Sequence, residues 1–290
     1  MLSKQEFRQI LSRKFCLLDG ATGSNLMLAG MPKGCCTEKW ILENPEKIIS
    51  LQRAYFESGS QIIYAPTFQV QPIALEKEGL AQQTEKINAD LVALTRKAAP
   101  DCLVAGDIAT LAAHCDSWDP DIFDELVQQY QRQIHGLIDG GADLLVGETL
   151  LYPQEAEAIL TAAELEGAGA VMFSFTMQSD GSLFSGADAG KVLHELEEAG
   201  ADAVGFNCVA ADMLTPHLVS KLRRYTSLPL ICKPNAGNPI INEKGIAEYN
   251  LNAEDFAKIM KECAQNGAKL LGGCCGTTPA FIRVLQEQLA

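Results

Sequence analysis

The chain has 290 residues, 47% of them apolar and 21% charged, with a formal net charge of −14. That hydrophobicity excludes an intrinsically disordered chain, and the acidity disfavours a nucleic-acid binder. No apolar run approaches the 18 or so residues that a membrane span needs, and the length suits one α/β barrel of roughly 250 residues as well as two smaller domains.

The opening Met1-Leu2-Ser3-Lys4-Gln5-Glu6-Phe7-Arg8 is broken by charges and lacks the apolar stretch of a secretory signal, so a cytoplasmic location with reduced thiols is expected. A first apolar run, at 15–18, leads into Asp19-Gly20-Ala21-Thr22-Gly23-Ser24. This segment lacks the lysine of a phosphate loop, which argues against a nucleotide site. Cys35-Cys36 follows in a long connection and reads most simply as a loop thiol pair. Gly59-Ser60-Gln61 introduces a second run, Ile62-Ile63-Tyr64-Ala65, which ends at Pro66-Thr67-Phe68. The third, at 102–106, runs into Asp107-Ile108-Ala109, with His114 beyond it.

Ile122, Phe123, Leu126, Val127, Tyr130, Ile134, Leu137 and Ile138 then recur at helical spacing and stop at Gly140. The fourth run, Leu144-Leu145-Val146-Gly147, ends in Glu148-Thr149. The fifth, at 170–175, ends in Ser174-Phe175-Thr176, and the sixth, Ala203-Val204-Gly205-Phe206, ends in Asn207-Cys208. The seventh, at 228–232, ends in Lys233-Pro234-Asn235. A helix capped by Asn252 and carrying Phe256, Ile259, Met260 and Cys263 leads to the eighth, Leu270-Leu271-Gly272. Gly273-Cys274-Cys275-Gly276-Thr277-Thr278-Pro279 follows it.

Several runs are preceded by the same device: a helix ends at a glycine, two small or polar residues follow, and a strand buried on both faces begins. Eight apolar runs with helical stretches between them predict an α/β fold, a single (β/α)8 TIM barrel occupying residues 1–290 as one domain. The alternative, an open doubly wound sheet, would leave two free edges. In such barrels the active site is built at the C-terminal ends of the strands. Four cysteines, Cys16, Cys102, Cys232 and Cys263, sit among apolar neighbours as inert core thiols. Cys208, Cys274 and Cys275 instead stand at the ends of two strands that flank only the seventh. Two readings are open there: a catalytic zinc site with one free position, or thiols packed beneath the rim. A helix starting at Pro279 and capped by Thr278 would bring its positive end near the pair and favour thiolates.

Gly205-Phe206-Asn207-Cys208 together with Gly272-Gly273-Cys274-Cys275-Gly276 resembles the paired signature of the zinc-dependent homocysteine S-methyltransferases. Asp19-Gly20-Ala21-Thr22-Gly23, Gly147-Glu148-Thr149 and Lys233-Pro234-Asn235-Ala236-Gly237 resemble further blocks of that family in the same order, most of all the homocysteine-binding module of cobalamin-dependent methionine synthase. The resemblance implies Zn2+ on Cys208, Cys274 and Cys275, with Asn235 as a fourth ligand when substrate is absent. It implies L-homocysteine as substrate, Asp19 and Glu148 toward its ammonium, and backbone amides around Ala21 and Thr22 toward its carboxylate. Thr67 and Asn207 would line the pocket. Methionine synthases usually carry Glu-Thr-Asn-Thr-Phe-Gly after the second strand, where Tyr64-Ala65-Pro66-Thr67-Phe68-Gln69 stands here, so one carboxylate is missing. A folate barrel is not expected, and none of the four histidines has the Asp-x-His-x-x-Gly context that binds cobalamin. A methylcorrinoid donor is therefore expected on a separate protein, with betaine, S-methylmethionine and S-adenosylmethionine as other donors. Two competing readings are a Schiff-base aldolase acting through Lys233 and a non-catalytic, zinc-stabilised subunit of a larger methyltransferase.

Overall fold

The computed structural model of the chain describes residues 1–12, 15–178, 180–212, 215–242 and 247–290. Among them eight parallel strands, β1 (Cys16–Leu17), β2 (Ile62–Tyr64), β3 (Leu103–Ala109), β4 (Leu144–Leu150), β5 (Val171–Phe175), β6 (Ala203–Ala210), β7 (Leu230–Asn235) and β10 (Ala268–Leu271), form one sheet. Their order is β1-β10-β7-β6-β5-β4-β3-β2, with helices between successive strands. The sheet curls into a nearly closed barrel, so the open-sheet alternative does not hold.

Closure at the seam between β1 and β2 uses side chains as well as backbone. The Gln61 N–H donates to Leu17 O at 2.8 Å, and Gln61 Oε1 accepts from Leu17 N–H at 3.1 Å. Ser60 Oγ donates to Leu18 O at 3.0 Å, and Asp19 Oδ2 accepts from Tyr64 N–H at 2.9 Å. β1 is only two residues long, and these bonds stand in for the missing ladder.

Strand residues alternate between two cores. The inward set, including Leu18, Ile62, Ala105, Val146, Met172, Ile231 and Leu270, packs inside the barrel. The outward set packs against the helices, whose buried stripes include Leu126, Tyr130, Ile134 and Leu137 of the helix Phe123–Asp139. One inward step beyond the apolar layer the side chains turn polar: Asp107, Glu148, Ser174, Asn207 and Lys233, all buried. The site therefore sits on an apolar floor.

The expected helices are present. Asn252 caps the helix Ala253–Gln265, accepting from Asp255 N–H at 2.8 Å. Thr278 does occupy the N-cap of the helix Pro279–Leu289, but its side chain makes no capping bond; the neighbouring Thr277 hydroxyl is the one engaged, donating to Cys274 O. An antiparallel pair, β8 (Pro239–Ile241) with β9 (Ala247–Tyr249), follows β7 and has no counterpart in the sequence reading. No helix among the described residues is long and apolar enough to cross a membrane. Leu28, Trp118, Phe184, Ile240 and Ile241 are exposed apolar side chains on connections that follow β1, β3, β5 and β7, the end of the barrel where the polar residues gather.

Candidate active site

Cys208 owes its position to a break in β6. The β6–β7 register shifts between Asn207 and Ala210, and Cys208 takes a φ of 55°, a left-handed conformation that costs a non-glycine residue. A matching irregularity lies in β4, where Thr149 has a φ of 58°. Asn207 ties the two together: its Oδ1 accepts from Thr149 N–H at 3.0 Å and its Nδ2 donates to Thr149 Oγ1 at 2.6 Å. Strand-end bulges of this kind re-aim side chains. Here the effect is to turn the Cys208 thiol toward the segment after β10.

That segment is held as firmly. Cys274 N–H donates to Pro234 O at 2.7 Å, and Ala236 N–H donates to Cys275 O at 2.9 Å. Gly273 N–H donates to Asp19 O at 3.0 Å, so strands β1, β7 and β10 all fix the pair. The three sulfur atoms of Cys208, Cys274 and Cys275 lie within 4.8 Å of one another. A tetrahedral ion with bonds of about 2.3 Å holds its sulfur ligands roughly 3.8 Å apart, so a small inward motion of the thiols accommodates one. The donor set, soft sulfur with no fourth cysteine among the described residues within reach, fits zinc with one position left open. Hydrogen bonds from Cys208 and Cys274 hold the Cys275 thiol down to about 3, while donating pushes the Cys208 thiol up. Asn207 Nδ2 approaches Cys274 Sγ at 3.8 Å, and Tyr249 of β9 donates to Cys275.

Beside the sulfurs opens a cavity of about 420 Å³, walled by the loop after β1 and by Tyr64, Asp107, Glu148, Thr149 and Lys233. The volume suits a small molecule. Lys233 Nζ lies 3.1 Å from Glu148 Oε1, 3.4 Å from Asp19 Oδ1 and 4.6 Å from the centre of the Tyr64 ring. Burial pushes the Asp19 carboxyl up to about 6 against the pull of Lys233 and the Tyr64 N–H, and burial raises Glu148 too. Burial alone would lower Lys233, but Glu148 and Asp19 hold its ammonium well above the ordinary range. A Schiff-base nucleophile needs the opposite, a lysine that loses its proton readily. The aldolase reading fails on this point.

The remaining expected residues fall into place unevenly. Ala21 and Thr22 line the cavity, but Ala21 N–H is already donated to Thr277 Oγ1 at 3.1 Å. Thr67 is fully buried behind the wall, exchanging hydrogen bonds with Asp107 N–H and O at 3.0 and 2.8 Å. Asn207 supports the wall through Thr149 rather than forming it. Asn235 Oδ1 is buried without a hydrogen-bond partner. Cys35 is exposed and Cys36 Sγ lies 3.7 Å from Glu38; it is Thr37 and Glu38, at the start of the helix Thr37–Glu43, that reach the cavity. His114 is half-buried away from it, its pKa lowered by burial. The sequence reading missed Asp107, Tyr64 and Tyr249 as site residues. The inward alternation Leu103, Ala105, Asp107 was the signal for the first; nothing local marks Tyr249.

The homocysteine S-methyltransferase family model matches residues 16–289. The chain is 30% identical over 319 residues to the Escherichia coli homocysteine S-methyltransferase, covering 99% of this chain and 100% of that protein. It is 27% identical to the methionine synthase of Mycobacterium tuberculosis over 97% of its own length, and spans about a quarter (25%) of that protein. The metallated crystal form of the E. coli homocysteine methyltransferase MmuM superposes with a TM-score of 0.83 at 28% identity, covering 97% of this chain and 99% of that one.

Proposed function

This chain belongs to the homocysteine S-methyltransferase family, and we propose that it transfers a methyl group to the thiol of L-homocysteine, giving L-methionine. The observation that carries the reading is the approach of three sulfurs, from residues 66 and 67 positions apart, beside a small cavity lined by buried acids. Cys208, Cys274 and Cys275 would hold Zn2+, with Asn235 as fourth ligand before substrate enters. The chemistry bound Zn2+ supplies is ionisation of the acceptor thiol at neutral pH, with three thiolate ligands keeping that sulfur electron-rich.

The chain's own residues do the positioning. The amino acid's ammonium meets the carboxylates of Asp19 and Glu148, and its carboxylate meets the loop around Ala21 and Thr22. Asn207 keeps both strained strand ends in place, so the thiolate set does not relax when substrate arrives. In the transfer the acceptor sulfur forms a bond to the methyl carbon as the donor's bond to that carbon breaks, in line. No protein base is required. Exposed Leu28, Trp118, Phe184, Ile240 and Ile241, on connections that follow the C-terminal ends of the strands, support a donor carried on another protein, and we infer a methylcorrinoid protein.

The test is turnover of homocysteine by the zinc-loaded chain with a methylcorrinoid protein, betaine, S-methylmethionine and S-adenosylmethionine in turn. Zinc-edge spectroscopy with and without homocysteine accompanies it. Activity with the corrinoid protein and a fourth sulfur at zinc are expected. Activity only with a small donor replaces the donor, whereas a ligand set unmoved by homocysteine leaves the non-catalytic subunit as the answer.

A further inference from the structure

The three sulfurs do not have equivalent surroundings. Asn207 Nδ2 lies 3.8 Å from Cys274 Sγ. Cys275 Sγ takes a hydrogen bond from the Tyr249 hydroxyl, and that tyrosine comes from outside the barrel. It sits on β9, opposite Pro239 of β8, in the antiparallel pair that follows β7. Two features fix it there. A Cβ on Gly276 would overlap Cγ and Cδ2 of the Tyr249 ring, so the residue after Cys275 leaves the space in which the ring lies. The strand pair is in turn stitched to the backbone of the thiols. Leu251 N–H donates to Ala236 O at 3.1 Å, and Ala236 N–H donates to Cys275 O at 2.9 Å. Asn250 Oδ1 accepts from Asn238 N–H at 2.9 Å and closes the base of the pair. A separate piece of chain thus carries a phenol to one sulfur of the trio, and no step of the methyl transfer uses it.

The chemistry of thiolates supplies a task. A thiolate that binds a metal is also a nucleophile. A methyl group delivered at this site therefore meets ligand sulfurs as well as the acceptor's. Misdirected transfer would join Cys275 Sγ to the methyl carbon as the bond from that carbon to the donor breaks. The ligand would become a thioether and lose both its charge and its hold on the metal. A hydrogen bond from a phenol engages one sulfur lone pair, and bonds to a charged acceptor are the strong ones. Outer partners of this kind tune a metal ligand without touching the metal.

We propose that Tyr249 is a positioning residue for methyl transfer: its hydroxyl, donated to Cys275 Sγ, restrains that ligand sulfur as a nucleophile and leaves the methyl group to the acceptor thiol. This rests on the reading above that the three cysteines hold zinc where a methyl group is delivered.

The experiment treats the zinc-loaded wild type and Tyr249→Phe with methyl iodide, with no acceptor thiol present. Peptide mass spectrometry follows methylation of each cysteine. Phenylalanine keeps the ring on Gly276 and removes only the hydroxyl, and exposed Cys35 is the internal standard. Methylation of Cys275 is expected to be about 10- to 100-fold faster in the variant, the scale of one hydrogen bond to a charged group, with zinc released in step. Rates at Cys208, Cys274 and Cys35 stay near those of the wild type. An unchanged Cys275 rate overturns the proposal, and so does a rise shared equally by Cys208 and Cys274, which marks a loosened site. A fluorinated tyrosine at the same position, a stronger donor, slows Cys275 below wild type and decides the matter should the phenylalanine variant lose zinc. A wild type that takes up no zinc defeats the metal reading and the proposal with it. One that binds zinc yet methylates no homocysteine defeats only the choice of acceptor, and the Cys275 comparison still decides.

Discussion

Asn207, Thr149 and Cys208 work as one device. Two residues held at positive φ store strain that an asparagine between them stabilises, and the outcome is a thiol aimed at two others. Substituting any one of Cys208, Cys274 or Cys275 by Ser is expected to weaken zinc binding more than a hundredfold and abolish turnover, while the circular-dichroism melt still shows a folded barrel. Metal analysis and turnover check both halves. Asp19 gives a pH prediction. Its folded carboxyl titrates near 6 against an ordinary 3.8, so its contribution to stability is fully present below about pH 3.8 and is lost as pH rises through about 6. Two pK units correspond to about 3 kcal/mol; denaturant melts of wild type and Asp19→Asn should shift by about that amount in the variant's favour between pH 4 and pH 7. The cysteines were legible because their residue type is rare at strand ends and their neighbours are glycines. Lys233 was legible as reactive but not as neutralised, because its partners come from β4 and the end of β1. Long-range pairing of that sort leaves no local mark.

The strands show the same division. Runs of apolar residues, several of them after a glycine, located each of them, since burial on both faces demands such runs. β1 shrank to two residues because Asp19 and Gln61 take over its hydrogen bonds, and the β8–β9 pair escaped notice because its first strand is short and exposed. The bulges in β4 and β6 were equally hidden, for a register shift depends on the partner strand. One glycine is diagnostic at this scale. A Cβ on Gly205 would stand 2.1 Å from Ile231 O and 2.6 Å from Ile231 N, forcing β6 away from β7. Gly205→Ala is expected to destabilise the fold by roughly 3 kcal/mol or more by denaturant melts, and to lose zinc in parallel, since the same strand delivers Cys208.

At the scale of the whole molecule, the three sulfurs and several exposed apolar side chains share one end of the barrel. The exposed apolar side chains Leu28, Trp118, Phe184, Ile240 and Ile241 are spread over more than two hundred positions of the chain, yet all lie on connections that follow strands at the same end of the barrel. A protein donor would cover them; a small donor would pass between them. Trp118→Ala combined with Phe184→Ser is therefore expected to lower kcat/KM for a methylcorrinoid protein at least tenfold, a loss typical of buried aromatic contacts, while turnover with free methylcobalamin changes little. Equal effects on both would place these residues outside any interface.

The seam between β1 and β2 carries a last consequence. The Tyr64 amide hydrogen is fastened to a carboxylate that also looks into the cavity, so a guest that draws Asp19 toward itself undoes a stitch of the wall. Deuterium uptake at that single amide should then quicken or slow as the cavity fills, reporting occupancy from a position that never touches the sulfur chemistry.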